Sequence, residues 1–452
     1  MLVVSGCKSV NNSMPQTSSG LEQVKVEGGL ISGVPAEKPG VTAFKGIPYT
    51  APPVGDLRWK APQPVPAWDG VKKCDTFANI LTQSTKAWGV YQKEFFSDPY
   101  PKMSEDCLCL NVFTPAKAAN ERLPVMVWIH GGGFVRGWSY EMEYNSDNLA
   151  RKGVILVTIE YRTSIFGFMA HPELTGESPN KSSGNYGLLD QIAALKWVKN
   201  NIKGFGGDPE NVTVFGQSAG AMSIAVMNCS PLAKGLYNKA IMQSGGGIDE
   251  SAYNLNMPLS DAEKIGSEIQ TTLNCNSIAD MRKLSADELY TGIAQFQPKS
   301  VKSAGYFYLV PNVDGYLQPD TVKNMVSKGN LSDIAYIIGS NANDIPGATD
   351  MALAFAINRA EEGKRNAYLY EFTRAMPGDD SGAFHCAELW YVFQTLDKCW
   401  RPLTEADTQL ADQMASYWAN FATTGNPNGD GLVKWNNFKK DSKFKMVFDV
   451  HE

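Results

Sequence analysis

The chain has 452 residues, a net charge of −6 and 43% hydrophobic residues, which is typical of a large globular protein. Its basic residues are dispersed, so their pattern does not indicate binding to nucleic acid or to an anionic membrane. No apolar run approaches the ~20 residues of a transmembrane helix. No low-complexity linker follows the first twenty residues, so we predict a single domain over residues 22–452.

Residues 1–21 are predicted to be a leader or tether, without a fold. The run Val4-Ser5-Gly6-Cys7 has the small residues that precede a bacterial lipoprotein cysteine, and a polar Ser/Asn-rich stretch follows. The charged and apolar parts expected ahead of such a cysteine are nearly absent. The pattern predicts an exported lipoprotein, periplasmic or associated with the outer membrane and anchored at Cys7. The alternative is an unstructured N-terminus with an incidental cysteine.

A buried strand is predicted over residues 123–130, and Gly131, Gly132 and Gly133 follow it directly. Such an HGGG-type loop offers backbone N–H groups to an oxyanion. The G-x-G-x-x-G spacing is missing and no Lys-Ser/Thr follows, so nucleotide binding is disfavoured. We predict that Gly132, Gly133 and the N–H of Ala219 form an oxyanion hole.

Strand and helix signals run on along the rest of the chain. Strands are predicted at 154–159, 211–215 and 239–243, and an amphipathic helix at 185–201. Further helices are predicted at 261–273 and 285–294. We expect the region 248–330 to contribute lid and gorge-wall helices over the site.

The pentapeptide Gly216-Gln217-Ser218-Ala219-Gly220 lies between the strand at 211–215 and a helix-compatible run at 221–227. A G-x-S-x-G turn in this setting holds its serine at a strained backbone position, with the hydroxyl exposed. Ser218 is therefore the predicted nucleophile. The alternative is an ordinary Gly/Ser turn.

The chain has only four histidines that could serve as a catalytic base, and these are His130, His171, His385 and His451. His130 opens the oxyanion loop, His171 sits in a loop, and His451 is next to the C-terminus, where chains fray. His385 follows a strand-like run at 366–372 and should lie near the carboxyl end of a strand, where open α/β sheets place their sites. We predict His385 as the base by elimination.

The acid should lie between the serine and the histidine, because triads on this architecture run in that order. An apolar strand predicted at 332–338 is followed by a polar turn that ends at Asp344. Asp344 would orient the imidazole of His385 without becoming protonated. The alternative is an aspartate that caps a local turn, with Asp350 and Asp314 in reserve.

Further motifs occur in the same order along the chain, at 44–49, 52–59, 104–107, 185–191, 205–209, 243–245 and 421–428. With the glycine loop and the serine turn, they resemble bacterial members of the type-B carboxylesterase/lipase family. This cholinesterase-like and para-nitrobenzyl-esterase-like family belongs to the α/β-hydrolase superfamily. The resemblance implies an α/β-hydrolase fold, with a mostly parallel central sheet flanked by helices and with helical lid insertions.

The resemblance also implies a serine carboxylesterase that forms an acyl-enzyme with Ser218, His385 and Asp344 and acts on a small-molecule ester. This chemistry needs no metal or organic cofactor. Substrate-pocket candidates near motif positions are Phe134, Trp138, Gln217 and Trp390, with Trp88, Phe166 and Phe168 as further aromatic residues. Each aromatic is as compatible with the core as with the pocket.

Three departures from the family pattern affect these expectations. Gln217 stands where the family usually has glutamate, so a preference for cationic alcohols is not expected. The acid position usually reads Asp-Glu-Gly in the family, whereas Asn343-Asp344-Ile345 occupies it here, so the acid carries a shorter side chain. The segment from Asp344 to His385 is only about forty residues long, which predicts a more open site.

Setting Cys7 aside leaves seven cysteines, so at least one thiol is unpaired within the monomer. In the family, the cysteine at the position of Cys107 is often bridged to an upstream partner, whose position here is Leu81. A Cys74–Cys107 bridge is one hypothesis and free thiols are the other.

Two other functions remain open on the sequence. One is a catalytically inactive cholinesterase-like binding protein. The other is an amidase that uses the same nucleophile.

Overall fold

The computed structural model describes residues 21–86, 89–96, 100–248, 255–300, 308–363, 365 and 367–450. The described strands are β1 (Gln23–Val26), β2 (Gly29–Ser32), β3 (Val34–Pro35), β4 (Thr42–Pro48), β5 (Val71–Lys73), β6 (Cys109–Thr114), β7 (Leu123–Ile129), β8 (Ile155–Ile159), β9 (Gly207–Gln217), β10 (Lys239–Gln243), β11 (Ala335–Asn341), β12 (Ala367–Phe372) and β13 (Met446–Phe448). Residues 1–20 of the predicted leader lie outside the described residues, so a lipid anchor at Cys7 stays a prediction.

Ten of these strands form one sheet, in the order β13-β12-β11-β10-β9-β7-β8-β6-β4-β3. The pairs from β8 through β7, β9, β10, β11 and β12 to β13 are parallel, whereas β6, β4 and β3 add antiparallel strands at one side. Strands β1, β2 and β5 form a separate small sheet. The mostly parallel central sheet that the resemblance implied is confirmed.

The described helices are α1 (Val90–Phe95), α2 (Ser164–Phe168), α3 (Pro172–Glu177), α4 (Tyr186–Asn201), α5 (Ala219–Cys229), α6 (Leu259–Thr272), α7 (Ile278–Lys283), α8 (Ala286–Gly292), α9 (Val322–Ser327), α10 (Ala348–Glu361), α11 (Leu389–Val392) and α12 (Glu405–Thr424). They cover both faces of the sheet. In β7, for example, Val125, Val127 and Ile129 pack into the core that contains α4 and α5. The alternate residues Met126 and Trp128 pack into the core that contains α11 and α12. Burial on both faces explains why this strand reads as a continuous apolar run.

The predicted strand at 332–338 begins later than expected. Ser332 donates from its backbone N–H and its hydroxyl to the carbonyl of Asn228, and Asp333 forms an ion pair with Arg359. These contacts hold the two residues outside the strand, which begins at Ala335 and ends at Asn341.

The seven described cysteines are all free, so the Cys74–Cys107 bridge hypothesis was wrong. The backbone of Cys74 is fixed by hydrogen bonds with Ser32 and Lys45. Cys107 is fully buried just before β6. Burial raises the pKa of Cys74 to about 11, so its thiol is protonated near neutral pH.

The described part of the chain contains no helix that combines the length and the apolar character needed to cross a bilayer.

Candidate active site

Ser218 lies at the sharp turn between β9 and α5. Its backbone has φ 54° and ψ −123°, a strained region for a residue with a side chain. A Cβ on Gly220 would lie 2.1 Å from the carbonyl oxygen of Ile129, and one on Gly216 would lie 2.7 Å from the same oxygen. Glycine on both sides is therefore what lets the turn pack tightly against β7. The strand, turn and helix expected around Ser218 are all present.

Asp344 and His385 are brought together by the loops after β11 and β12. Asn343 forms a parallel bridge with Phe384, which places the two loops side by side. As a result, Nδ1 of His385 lies 2.5 Å from Oδ1 of Asp344. The second carboxylate oxygen of Asp344 accepts the N–H of Asn341 at 2.8 Å.

The charge of Asp344 is stabilised by these contacts. Burial alone would raise the pKa of this carboxyl, but the positive charge and hydrogen bond of His385, with the N–H of Asn341, outweigh burial. The pKa of Asp344 is therefore lowered, and the carboxylate is ionised at neutral pH. An ionised carboxylate at Nδ1 selects the imidazole tautomer whose Nε2 can accept a proton.

The reserve acids lie elsewhere. Asp314 accepts hydrogen bonds from the backbone N–H groups of Tyr316, Leu317 and Gln318, so it caps a turn. Asp350 lies in the first turn of α10. Neither residue is bonded to His385 in the described structure.

Gln217 contacts the imidazole of His385 from above its plane. Its Nε2 lies 3.1 Å from Nε2 and 3.3 Å from Nδ1 of His385. An atom in the ring plane at equal distances this short would collide with Cε1, so the amide must lie over the ring face. This position leaves the in-plane lone pair of the imidazole Nε2 unoccupied, and Ser218 forms no hydrogen bond with it in the described structure. The sequence placed Gln217 in the pocket but did not indicate this contact.

The glycine loop after β7 runs beside Ser218. Gly132 and Gly133 have φ of 102° and 63°, and a Cβ on Gly131 would lie 3.1 Å from Cβ of Ser218. Ala219 is the first residue of α5, where the backbone N–H has no acceptor within its own helix. All of these residues line one cavity. Their N–H groups are suited to stabilising an oxyanion.

Replacing Gly132 with alanine is expected to lower kcat by about 10²–10³-fold, as loss of an oxyanion donor does. The new Cβ would lie 2.1 Å from the carbonyl oxygen of Arg136, so the loop must move. Ester hydrolysis by the two proteins measures the effect. Gly176→Ala is the control, because a Cβ there meets nothing within 4 Å and its φ is not positive. A Gly132→Ala variant that keeps the wild-type kcat would show that Gly132 does not belong to the oxyanion hole.

The other described histidines have structural positions. His130 is fully buried, stacks on Tyr161 at 4.3 Å and places Nδ1 2.9 Å from the carbonyl oxygen of Gly131. Burial lowers the pKa of His130 to about 4, so it is neutral and braces the loop. His171 accepts the N–H of Glu173 and caps α3. His451 lies outside the described residues.

The cavity in front of Ser218 and His385 has a volume of about 350 Å³. Much of its wall is apolar or aromatic, from Tyr91, Phe95, Phe96, Met222, Ile345 and Leu389. Tyr91 and Phe95 belong to α1 and Phe96 follows it directly, whereas a further aromatic residue of the wall, Tyr144, lies after the glycine loop. None of Tyr91, Phe95 and Phe96 was among the predicted pocket residues, although their close spacing in residues 91–96 is a signal for one shared surface.

The prediction of Phe134, Trp138 and Trp390 as pocket residues was wrong. All three are buried in the core and do not line this cavity. Phe134 packs against Phe168 at 5.2 Å. Trp138 lies behind the cavity wall, with its ring 5.5 Å from the ring of Phe96. Trp390 also lies behind the wall, with its ring 5.5 Å from the ring of Phe95. Proximity to the motifs in sequence did not reveal which face of each loop these rings occupy. Trp88 lies outside the described residues.

The region 248–330 was expected to cover the site. None of its described residues lines the cavity. Its helices contact other parts of the fold: Gln270 of α6 lies 3.2 Å from His171, and Arg58 donates to the carbonyl of Leu284, just after α7. Residues 249–254 and 301–307 are outside the described set, so a lid in this region stays a prediction.

Comparisons with known proteins agree with the fold and the motifs. The model of the carboxylesterase family matches residues 21–355 and 348–452. The fumonisin B1 esterase of Sphingopyxis macrogoltabida is 40% identical over 331 residues, which cover 72% of this chain and 56% of that protein. The para-nitrobenzyl esterase of Bacillus subtilis (strain 168) is 32% identical over 466 residues, covering 91% of each chain. A solved thermophilic para-nitrobenzyl esterase superposes with a TM-score of 0.83, at 32% identity, over 95% of this chain and 96% of the other. The chain therefore belongs to the carboxylesterase family.

Proposed function

We propose that this serine carboxylesterase uses Ser218 as nucleophile, His385 as general base and Asp344 as the orienting acid. The observation that carries the proposal is the hydrogen bond between His385 and Asp344 at the cavity into which Ser218 projects. Family membership supports ester hydrolysis as the reaction.

The reaction follows from these roles. His385 takes the proton of the Ser218 hydroxyl through Nε2 as the oxygen attacks the ester carbonyl. The N–H groups of Gly132, Gly133 and Ala219 stabilise the oxyanion of the tetrahedral intermediate. His385 then donates its proton to the leaving alcohol, and an acyl-enzyme remains on Ser218. A water molecule that loses a proton to the same histidine releases the acid.

The cavity supports a preference for small esters with apolar parts. A volume of about 350 Å³ is at the lower end of the usual range for small-molecule sites. Its aromatic and aliphatic wall suits short acyl or aryl groups. One relative is named a fumonisin B1 esterase and another a para-nitrobenzyl esterase, so related chains are named for esters of different kinds.

The experiment is hydrolysis of p-nitrophenyl esters from acetate to octanoate, with a feruloyl ester alongside, by the wild-type protein. A fluorescent organophosphonate is applied in parallel, and the labelled peptide is identified by mass spectrometry. We expect turnover that declines for long acyl chains, and a label on Ser218. A folded protein that neither hydrolyses any ester nor takes the label would instead be a binding protein. Faster turnover of a matched anilide than of its ester would indicate an amidase.

A further inference from the structure

The wall of the catalytic cavity contains a cation that the proposed mechanism does not use. Arg136 follows the glycine loop, and its backbone N–H donates to the carbonyl of Gly132 at 3.2 Å. A Cβ on Gly132 would lie 3.2 Å from Cγ of Arg136, so the stem of this side chain runs beside the glycine loop. Its guanidinium lies over the ring of Phe96, 4.4 Å from the ring centroid. Arg136 and Phe96 both line the cavity.

Arg136 has no counter-ion in the described structure. Its Nη1 donates to the carbonyl of Lys86, and no described carboxylate forms an ion pair with the guanidinium. Burial lowers the pKa of Arg136, but a guanidinium stays protonated at neutral pH. Nε and Nη2 have no hydrogen-bond partner among the described residues, and both remain accessible, since neither is a buried unsatisfied atom. A charged group with unused donors at a catalytic cavity points to an anionic group on the ligand.

Two acidic side chains, Glu141 and Glu143, also line the cavity, but neither forms an ion pair with Arg136. They share a side-chain hydrogen bond, which requires a proton on one of them, so the pair carries at most one negative charge. Glu141 also accepts the N–H of Trp138 at 3.0 Å. These two carboxyls therefore bond to each other and to the wall, and the guanidinium keeps N–H groups free for a ligand.

We propose that Arg136 binds a carboxylate on the substrate, so that the preferred substrates are esters that carry a free carboxylate. The inference rests on the proposed ester hydrolysis and specifies its substrate class. A guanidinium binds a carboxylate through two parallel hydrogen bonds, and the ring of Phe96 packs against one side of it. The apolar wall accommodates the carbon chain between the carboxylate and the ester bond.

The first test compares monoethyl glutarate with ethyl glutaramate on the wild-type protein at neutral pH. The two esters have the same leaving alcohol and nearly the same size, and differ only in a terminal carboxylate against a terminal carboxamide. Gas chromatography of the released ethanol gives kcat/KM for each. We expect the carboxylate to be favoured by about tenfold or more, because hydrogen bonds between charged groups are the stronger kind.

A second pair places the same change on the alcohol part of the ester. It consists of the butyrate esters of glycolic acid and of glycolamide, with released butyrate as the readout. A preference in the first pair alone places Arg136 beside the acyl part, and a preference in the second alone places it beside the alcohol part. A ratio of one or less in both pairs would overturn the inference and leave ester hydrolysis in place. Hydrolysis of neither these four esters nor p-nitrophenyl butyrate would overturn the proposed function and this inference with it.

Variants assign the preference to Arg136. Arg136→Gln should lower the ratio of carboxylate to carboxamide kcat/KM by about tenfold, whereas Arg136→Lys should keep part of it, because the charge remains and the two-pronged geometry is lost. Arg122→Gln is the control: Arg122 is an exposed arginine that pairs with Asp208 and does not line the cavity. A wild-type ratio in Arg136→Gln would overturn the assignment. Should Arg136→Gln fail to fold, the wild-type ratios and Arg136→Lys still decide.

Discussion

Replacing Ser218 with alanine is expected to lower kcat for p-nitrophenyl butyrate by about 10⁵–10⁶-fold. The substitution removes the atom that attacks the carbonyl, and the oxyanion hole alone supplies only a small residual rate. Alanine also has a Cβ, so the strained backbone at φ 54° is no more difficult for it than for serine. The protein should therefore stay folded, which circular dichroism would show, while active-site titration and initial rates measure the loss.

A matched control for this substitution is Ser267→Ala. The hydroxyl of Ser267 donates to the carbonyl of Glu263 within α6, which contributes no described residue to the cavity. Its kcat should stay within about twofold of the wild type, because surface substitutions have small effects. A Ser218→Ala variant that keeps a tenth of the wild-type kcat would rule out Ser218 as the nucleophile.

Replacing Asp344 with asparagine is expected to lower kcat by about 10⁴-fold at pH 7 with little change in structure. The amide can hold the ring of His385, but it favours the tautomer with the proton on Nε2, which cannot accept the proton of Ser218. The control is Asp314→Asn, because an asparagine oxygen can still accept the backbone N–H groups of that turn. An equal loss of kcat in Asp344→Asn and Asp314→Asn would contradict the choice of Asp344 as the acid.

The same substitution tests the charge on Asp344. Its pKa is lower in the folded protein than in the unfolded chain, so its ionisation stabilises the fold above the unfolded pKa of about 3.9. This contribution is lost as the pH falls through the lowered folded value. In urea unfolding, the wild type should therefore lose stability relative to Asp344→Asn below about pH 4. A difference in unfolding free energy that is constant from pH 7 to pH 3 would contradict the lowered pKa.

The parts of the site that sequence could predict are those fixed by local structure. Ser218 was identified because a strand, two glycines and a helix define its turn within the short stretch 211–227. Asp344 was found because it follows a strand end. His385 needed elimination, and its pairing with Asp344 depends on a bridge between two loops 41 residues apart.

The walls of the cavity could not be predicted in this way, because they depend on tertiary packing. Trp138 and Trp390 lie near motif positions, yet their rings face the core behind Phe96 and Phe95. Glu141 and Glu143 were missed for the same reason, because nothing in the local pattern shows that they line the cavity.

The aromatic wall built by α1 has a consequence for how this protein could change its substrate. The proposed nucleophile, base and acid are carried by the turns and loops at strand ends of the sheet, whereas Tyr91 and Phe95 belong to a six-residue helix outside that framework. Mutations in α1 could therefore reshape the acceptance of esters while the reacting groups keep their positions. In directed evolution, a small library confined to Tyr91 and Phe96 would sample new specificities, with Glu94 kept because its buried carboxylate forms an ion pair with Arg401.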